Sequence, residues 1–200
     1  MVVYNNILAG ASGATSGAAA GYKIERSLRF NSADGAYLNR TPSSAGNRRT
    51  FTFSYWVKKG TVEDSQRVVL NAFGGSGAQY ASIDFRHDSA RFLGYNGSSI
   101  TYEVKTTRVF RDLSAWIHMV WAIDTTQATA ADRVKLYING VQETDFQTTN
   151  YPSQNLDLDF NTTNGHKIGQ ISYAASAELD GYLADVHLID GQALAASDFG

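Results

Sequence analysis

The feature that most constrains this chain is an alternation of period two that returns in one stretch after another from Ser27 onward. In FTFSYWVKK, Phe51, Phe53, Tyr55 and Val57 fall on one side, and Thr52, Ser54, Trp56 and Lys58 on the other. WIHMVWAID sets Ile117, Met119, Trp121 and Ile123 against Trp116, His118, Val120 and Ala122. RVKLYI does the same with Val134, Leu136 and Ile138 against Arg133, Lys135 and Tyr137. Successive side chains of a pleated strand point to opposite faces, so this pattern describes strands with one face on a core and rules out amphipathic helices.

The punctuation between these runs agrees. The chain has two Pro against eighteen Gly, and Asn139-Gly140 between RVKLYI and VQ offers the two positive φ angles of a type I′ hairpin turn. Further strands are expected to begin near Leu28, Tyr37, Arg67, Tyr80, Arg91, Ile100, Gln142, Leu156 and Lys167, with the last near Gly181. Helix is expected only as short pieces near FRDLSA and TAAD. A dozen short strands with turns between them, no heptads, no βαβ alternation and no internal repeat predict an all-β fold: two antiparallel sheets packed as a sandwich.

Two hundred residues, 43% hydrophobic and 18% charged, are enough for a real core. A net charge of -2 gives no broad basic field, so nucleic acid is not an expected partner. The absence of Cys removes disulfides and thiolate metal sites together. No apolar run approaches the ~20 residues of a membrane span. Nothing before Lys23 is basic, unlike a secretory leader, so release by lysis is the expected route if the protein acts outside a cell.

Residues 1–22 stand apart from the domain expected over 23–200. Ala9 to Gly21 contains only Ala, Gly, Ser and Thr, a stem with little to bury. Before it lies VVYNNIL, whose Val3, Tyr4, Ile7 and Leu8 form an apolar tip. A tip on such a stem is expected to dock into a partner and to be ordered only in an assembly.

Four motifs, taken in order, carry a resemblance: SLRFNSADGAYLNR, RTFTFSYWVKKG, WIHMVWAIDTTQATAADRVKLYINGVQE and ELDGYLADVHLIDGQALAASDFG. Together they resemble the LamG-like branch of the concanavalin A-type lectin/glucanases over roughly residues 27–199. The resemblance implies a jelly roll of two curved sheets that binds carbohydrate or protein and does not catalyse. NNILAGASG and RSLRFNSADGAYLNRTPSSAGNRRT are further similar to structural proteins of tailed phages, marine ones especially. That implies a virion protein assembled in the host cytoplasm, joined to other virion proteins through its arm, and a homo-oligomer in the particle. The ending ALAASDFG stops just past the last expected strand, as in the first module of a longer chain.

Catalytic constellations are not legible. Glucanases on this fold carry E-x-D-x-x-E; here Glu178 and Asp180 make the E-x-D, but Leu183 stands where the second Glu should be. In DGYLADVHLI the period-two reading groups Tyr182, Ala184, Val186 and Leu188, and turns Asp185 and His187 to the other face. His87, His118, His166 and His187 show no metal-ligand spacing, and His118 reads as a hydrogen-bonded structural histidine. Calcium suits loop oxygens, and Asp157, Asp159 and Asn161 resemble the start of a calcium loop, but Thr162 and Ile168 replace its Gly and Glu. The family resemblance also suggests a structural calcium between first and last strands, near Asp34 and Asp185. No cofactor beyond such an ion is expected.

Sugar recognition needs an aromatic ring to stack on and polar groups to orient hydroxyls. FRHDSARFLGYNGSS offers His87, Arg91, Tyr95 and Asn96, with Tyr80 and Tyr102 nearby, and cell-surface glycan is the expected ligand. The alternative left open is a purely architectural role, decorating a capsid or joining tail parts without binding glycan.

Overall fold

A computed structural model of the chain describes residues 23–62, 65–172 and 177–199. The arm residues Val3, Tyr4, Ile7 and Leu8 lie outside the described residues. Thirteen strands are described: β1 (Leu28–Phe30), β2 (Leu38–Arg40), β3 (Thr50–Lys59), β4 (Gln66–Phe73), β5 (Tyr80–Arg86), β6 (Ser89–Tyr95), β7 (Ile100–Val109), β8 (Ile117–Asp124), β9 (Val134–Ile138), β10 (Val141–Gln142), β11 (Phe146–Asn150), β12 (His166–Ile168) and β13 (Gly181–Asp190). They form a six-stranded sheet in the order β1-β13-β3-β8-β9-β10 and a seven-stranded sheet in the order β11-β7-β6-β5-β4-β12-β2. All the pairings are antiparallel. The expected sandwich is the observed fold.

The core lies where the period-two pattern put it. Phe51, Phe53, Tyr55 and Val57 of β3, Met119, Trp121 and Ile123 of β8, and Leu136 of β9 are buried together. From the other sheet Ile83 and Phe85 of β5, Phe92 of β6 and Val104 of β7 meet them. Phe92 spans the interface, its ring centroid 6.1 Å from that of Trp121 and 6.0 Å from that of Phe160. Each such side chain contributes about 1.5–3 kcal/mol by leaving water. Asn139 (φ 49°) and Gly140 (φ 83°) form the anticipated left-handed turn between β9 and β10.

The chain departs from the sequence expectations in four places. Leu156, Leu158 and Phe160 do not form a strand; Leu158 and Phe160 are buried from a loop, anchored by Arg48, whose Nε donates to the Leu158 carbonyl (2.7 Å) and whose own carbonyl accepts from the Leu158 N–H (3.1 Å). A loop can thus mimic strand alternation when it only has to plug one end of a core. FRDLSA has no helix, whereas TAAD holds the short helical piece expected there, a 3-10 turn over Ala130–Asp132. Phe146–Asn150 is a strand that the sequence reading did not separate from Gln142.

The fourth departure concerns β13. Its pairing with β3 shifts register between Ala184 and His187, and Asp185 takes φ 45°. A bulge adds one residue and flips the alternation beyond it. Before the bulge Leu183 enters the core and Tyr182 lies outside; beyond it the even-numbered Val186 packs inward instead. The single face assigned to Tyr182, Ala184, Val186 and Leu188 is really two half-faces.

Candidate functional site

The face of the seven-stranded sheet turned away from the core carries a polar row across four strands. Because Ile83, Phe92 and Val104 point inward, their neighbours Asp84, Arg91 and Lys105 point outward. The register sets Asp84 opposite Arg91, Arg91 opposite Lys105, and Lys105 opposite Thr148. The next row holds Ser82, Leu93, Glu103 and Asn150.

Arg91 organises this face. Its Nε and Nη2 donate to Asp84 at 2.8 and 3.1 Å, a two-point grip, and its Nη1 donates to Glu103 at 3.3 Å. Asp84 is nearly completely buried and also accepts from Ser82 Oγ (2.6 Å) and Gln66 Nε2 (2.7 Å). Burial works against the Arg91 charge, but Asp84 and then Glu103 outweigh it and hold the guanidinium pKa above its ordinary value. Lys105 has the opposite fate. Burial, reinforced by the Arg91 charge, lowers its ammonium pKa against the weaker pull of Glu103.

The sequence-predicted ligand residues are divided by this geometry. Tyr80 and Tyr95 pair at one end of the β5–β6 hairpin, rings 5.5 Å apart. His87 lies in the turn at the other end, with φ 53°, and seven residues of strand separate it from Tyr80, about 23 Å. Tyr80 is buried with Val68, Leu93 and Ile171, the last from the residues just after β12. Tyr95 is half-buried at the margin of that cluster. Asn96 is exposed, yet its side-chain oxygen accepts from the Ser98 and Ser99 N–H groups (3.0 and 2.9 Å) and shapes the β6–β7 turn. Tyr102 is a core residue stacked on Phe92 at 5.1 Å, not part of the outer face. Arg91, Tyr95 and Tyr80 thus share one surface, while His87 and Tyr102 belong elsewhere.

Asp84, Glu103 and Lys105 escaped the sequence reading. Alternation with Ile83, Phe85 and Val104 marks them as outward, but only the register shows that they converge on Arg91.

The calcium candidates do not converge either. Asp157 is engaged by Arg49, with Nε–Oδ1 at 2.6 Å. Asn161 Nδ2 donates to the Asn47 carbonyl and to Asp190 Oδ1 at 2.9 and 3.2 Å. Asp34 Oδ2 accepts from Asn31 Nδ2 at 2.6 Å within its own turn. Among the described residues no three His, Cys, Asp or Glu side chains are placed to hold a metal ion. Glu178 lends Arg67 only its backbone carbonyl (2.9 Å), and Asp180 pairs with Arg29 at 2.6 Å.

On the opposite sheet, His118 is structural. Its Nε2 lies 2.9 Å from Ser54 Oγ and its ring stacks on Trp56 at 4.9 Å. Burial, and then His187, lower its pKa. A cleft of about 510 Å³ opens where β2 and β12 of one sheet face β13 of the other, lined by Leu38, Ile168, Val186, Leu188, His166 and Asp190 among others.

The sequence profile of the concanavalin A-like lectin/glucanases superfamily, in its laminin G form, matches residues 30–198. The chain belongs to that superfamily. Among solved structures, this lectin-like chain superposes on domains LG4-5 of the mouse laminin alpha1 chain with a TM-score of 0.59, at 12% identity over 86% of its own length and 43% of the laminin chain. Domain 4 of AbnA, a GH43 extracellular arabinanase from Geobacillus stearothermophilus solved with arabinotriose, matches with a TM-score of 0.53, at 18% identity over 76% of this chain and 65% of that one. The carbohydrate-binding module CBM40 of the Ruminococcus gnavus IT-sialidase gives 0.53 at 12% identity, over 80% and 95% of the two chains. At such identities the likeness is one of fold. The chain spans under half of the laminin fragment and just under two thirds of the arabinanase domain. No curated protein matches the chain. No helix among the described residues is long and apolar enough to cross a membrane.

Proposed function

We propose that this chain is a non-enzymatic glycan-binding module of a tailed-phage virion, a fibre, appendage or surface protein held by its N-terminal arm, whose seven-stranded outer face meets host surface glycans. The observation that carries the glycan-binding part is the union on one sheet face of a half-buried ring, Tyr95, with a polar row fixed by Arg91. A sugar would stack on the ring and exchange hydroxyl hydrogen bonds with groups already oriented, which lowers the entropy cost of binding. Two structural neighbours are a carbohydrate-binding module and an arabinanase domain solved with a trisaccharide, which supports the same chemistry. Asp84 and Glu103 grip one guanidinium between them instead of facing each other across an open cleft, which favours binding over hydrolysis. The virion setting rests on the resemblance of NNILAGASG and its neighbours to phage proteins.

One observation favours the architectural alternative. Leu28, Leu38 and Leu188 are 55%, 47% and 40% exposed around the open edge of the sandwich. In that reading Val3, Tyr4, Ile7 and Leu8 of a second copy fill the cleft there and build a homo-oligomer.

The deciding experiment is a pull-down of the full chain, displayed in many copies on beads, with host cells and their purified surface polysaccharide. Weak sites acting together should give saturable binding that free polysaccharide competes away. Absence of binding in that format, with oligomers that disappear when residues 1–22 are removed, would replace the lectin reading with the architectural one.

A further inference from the structure

Two cations face each other on the outer row. Arg91 and Lys105 are direct cross-strand partners on β6 and β7, an arrangement that destabilises a sheet unless anions offset it. Arg91 has its anions, Asp84 and Glu103. Lys105 has no such grip: the residue is only 9% exposed, its ammonium makes no hydrogen bond or ion pair with any described residue, and the distant pull of Glu103 and Asp84 is outweighed by burial and by Arg91. Arg86, outward on β5, adds a third positive charge close enough to be felt at Lys105. Three cations against two carboxylates leave the row one negative charge short, and the vacancy lies at Lys105.

From this geometry we infer that the glycan taken by this face is acidic, and that its carboxylate or sulfate group seats on the Lys105 ammonium beside Arg91. The inference rests on the glycan-binding reading above and names the class of sugar. Tyr95 lies on the same face, near the end of β6, and Thr148 and Asn150 of the edge strand β11 flank Lys105 and Glu103. An anionic group on Lys105 would therefore leave the rest of a saccharide within reach of hydroxyl and amide partners. A lysine used only to solubilise the sheet would extend its charge into water; here the residue is largely covered and stands directly opposite another cation. Keeping it lowers stability and so needs a functional reason.

The test is binding of the full chain, multimerised on beads, to matched polysaccharides: polygalacturonate, hyaluronate and dextran sulfate as acidic members, with fully methyl-esterified polygalacturonate and dextran as neutral ones. The inference expects capture by acidic members alone, weakened by raising NaCl from about 50 to about 500 mM. Lys105→Met should reduce that capture roughly tenfold or more, the worth of a charge-assisted hydrogen bond, with a melting temperature equal to or above the parent's. Equal capture of esterified and free polygalacturonate, or full capture by the Lys105→Met protein, would overturn the acidic-sugar assignment and leave the glycan reading standing. Failure to bind any polysaccharide, host polysaccharide included, would remove both.

Discussion

Lys59, at the end of β3 in one sheet, reaches across to the buried carboxylate of Asp88 in the β5–β6 turn of the other. Both side chains are 4% exposed, and the ammonium also donates to the Phe110 carbonyl at 2.9 Å. Arg111 adds a second contact to Asp88 at 3.1 Å. This ion pair ties the two sheets together at the end of the sandwich opposite Tyr80 and Tyr95.

Removing one partner of such a pair leaves an uncompensated buried charge. Asp88→Asn keeps a residue that tolerates φ 62°, so its cost isolates the charge. Urea unfolding should show a loss of about 3–5 kcal/mol. Lys59→Met in the same chain should recover part of it. A loss under about 1 kcal/mol would mean that the pair is well hydrated.

Gly94 is where the Tyr102 ring passes: a Cβ there would come within 2.2 Å of the ring. Gly94→Ala must push Tyr102 off Phe92 and should cost about 1–3 kcal/mol or more by thermal unfolding. Unchanged stability would mean that the ring has another place to go.

Two histidines make stability depend on pH. His166 accepts from the Asn161 N–H through Nε2 (3.1 Å) while Nδ1 lies 2.8 Å from the Asn164 carbonyl, so it is held neutral. Burial first of all lowers its pKa, as it does that of His118. With folded values below unfolded ones, the unfolded chain binds more protons and stability rises with pH through that interval. The contribution is complete above the ordinary histidine value of about 6.5, falls as pH drops, and is gone below the depressed folded values. Denaturant midpoints measured from pH 8 down to pH 4 should show this slope, and His166→Gln should flatten it. The same slope in that variant would exclude His166 as its source.

Tyr95 and Arg91 should separate binding from stability. Tyr95→Ala removes a half-buried ring at the margin of the small cluster and should abolish glycan capture while lowering stability by no more than about 1 kcal/mol. Arg91→Ala strands buried Asp84 and should destabilise by about 3–5 kcal/mol as well as abolish capture. Capture unaffected by Tyr95→Ala would move the sugar away from this end of the face.

The identity of the layers was legible from residues alone. Alternating Phe51–Val57, Ile117–Ile123 and Val134–Ile138 could bury their apolar sides only in a sandwich, and Asn139-Gly140 could turn only as a hairpin. These are local properties, set by the pleat and by allowed φ angles. Everything that depends on which strand lies beside which had to wait for the tertiary structure. A one-residue bulge at Asp185 inverted the far half of β13, and a loop took over the burial pattern of Leu156–Phe160. The candidate site belongs to this second kind. Asp84, Arg91, Glu103 and Lys105 come from three strands, and register alone decides that two acids close on Arg91 while Lys105 is left opposite a like charge. Pairing between strands distant in sequence is a sum of many small packing terms, and no window of sequence contains it.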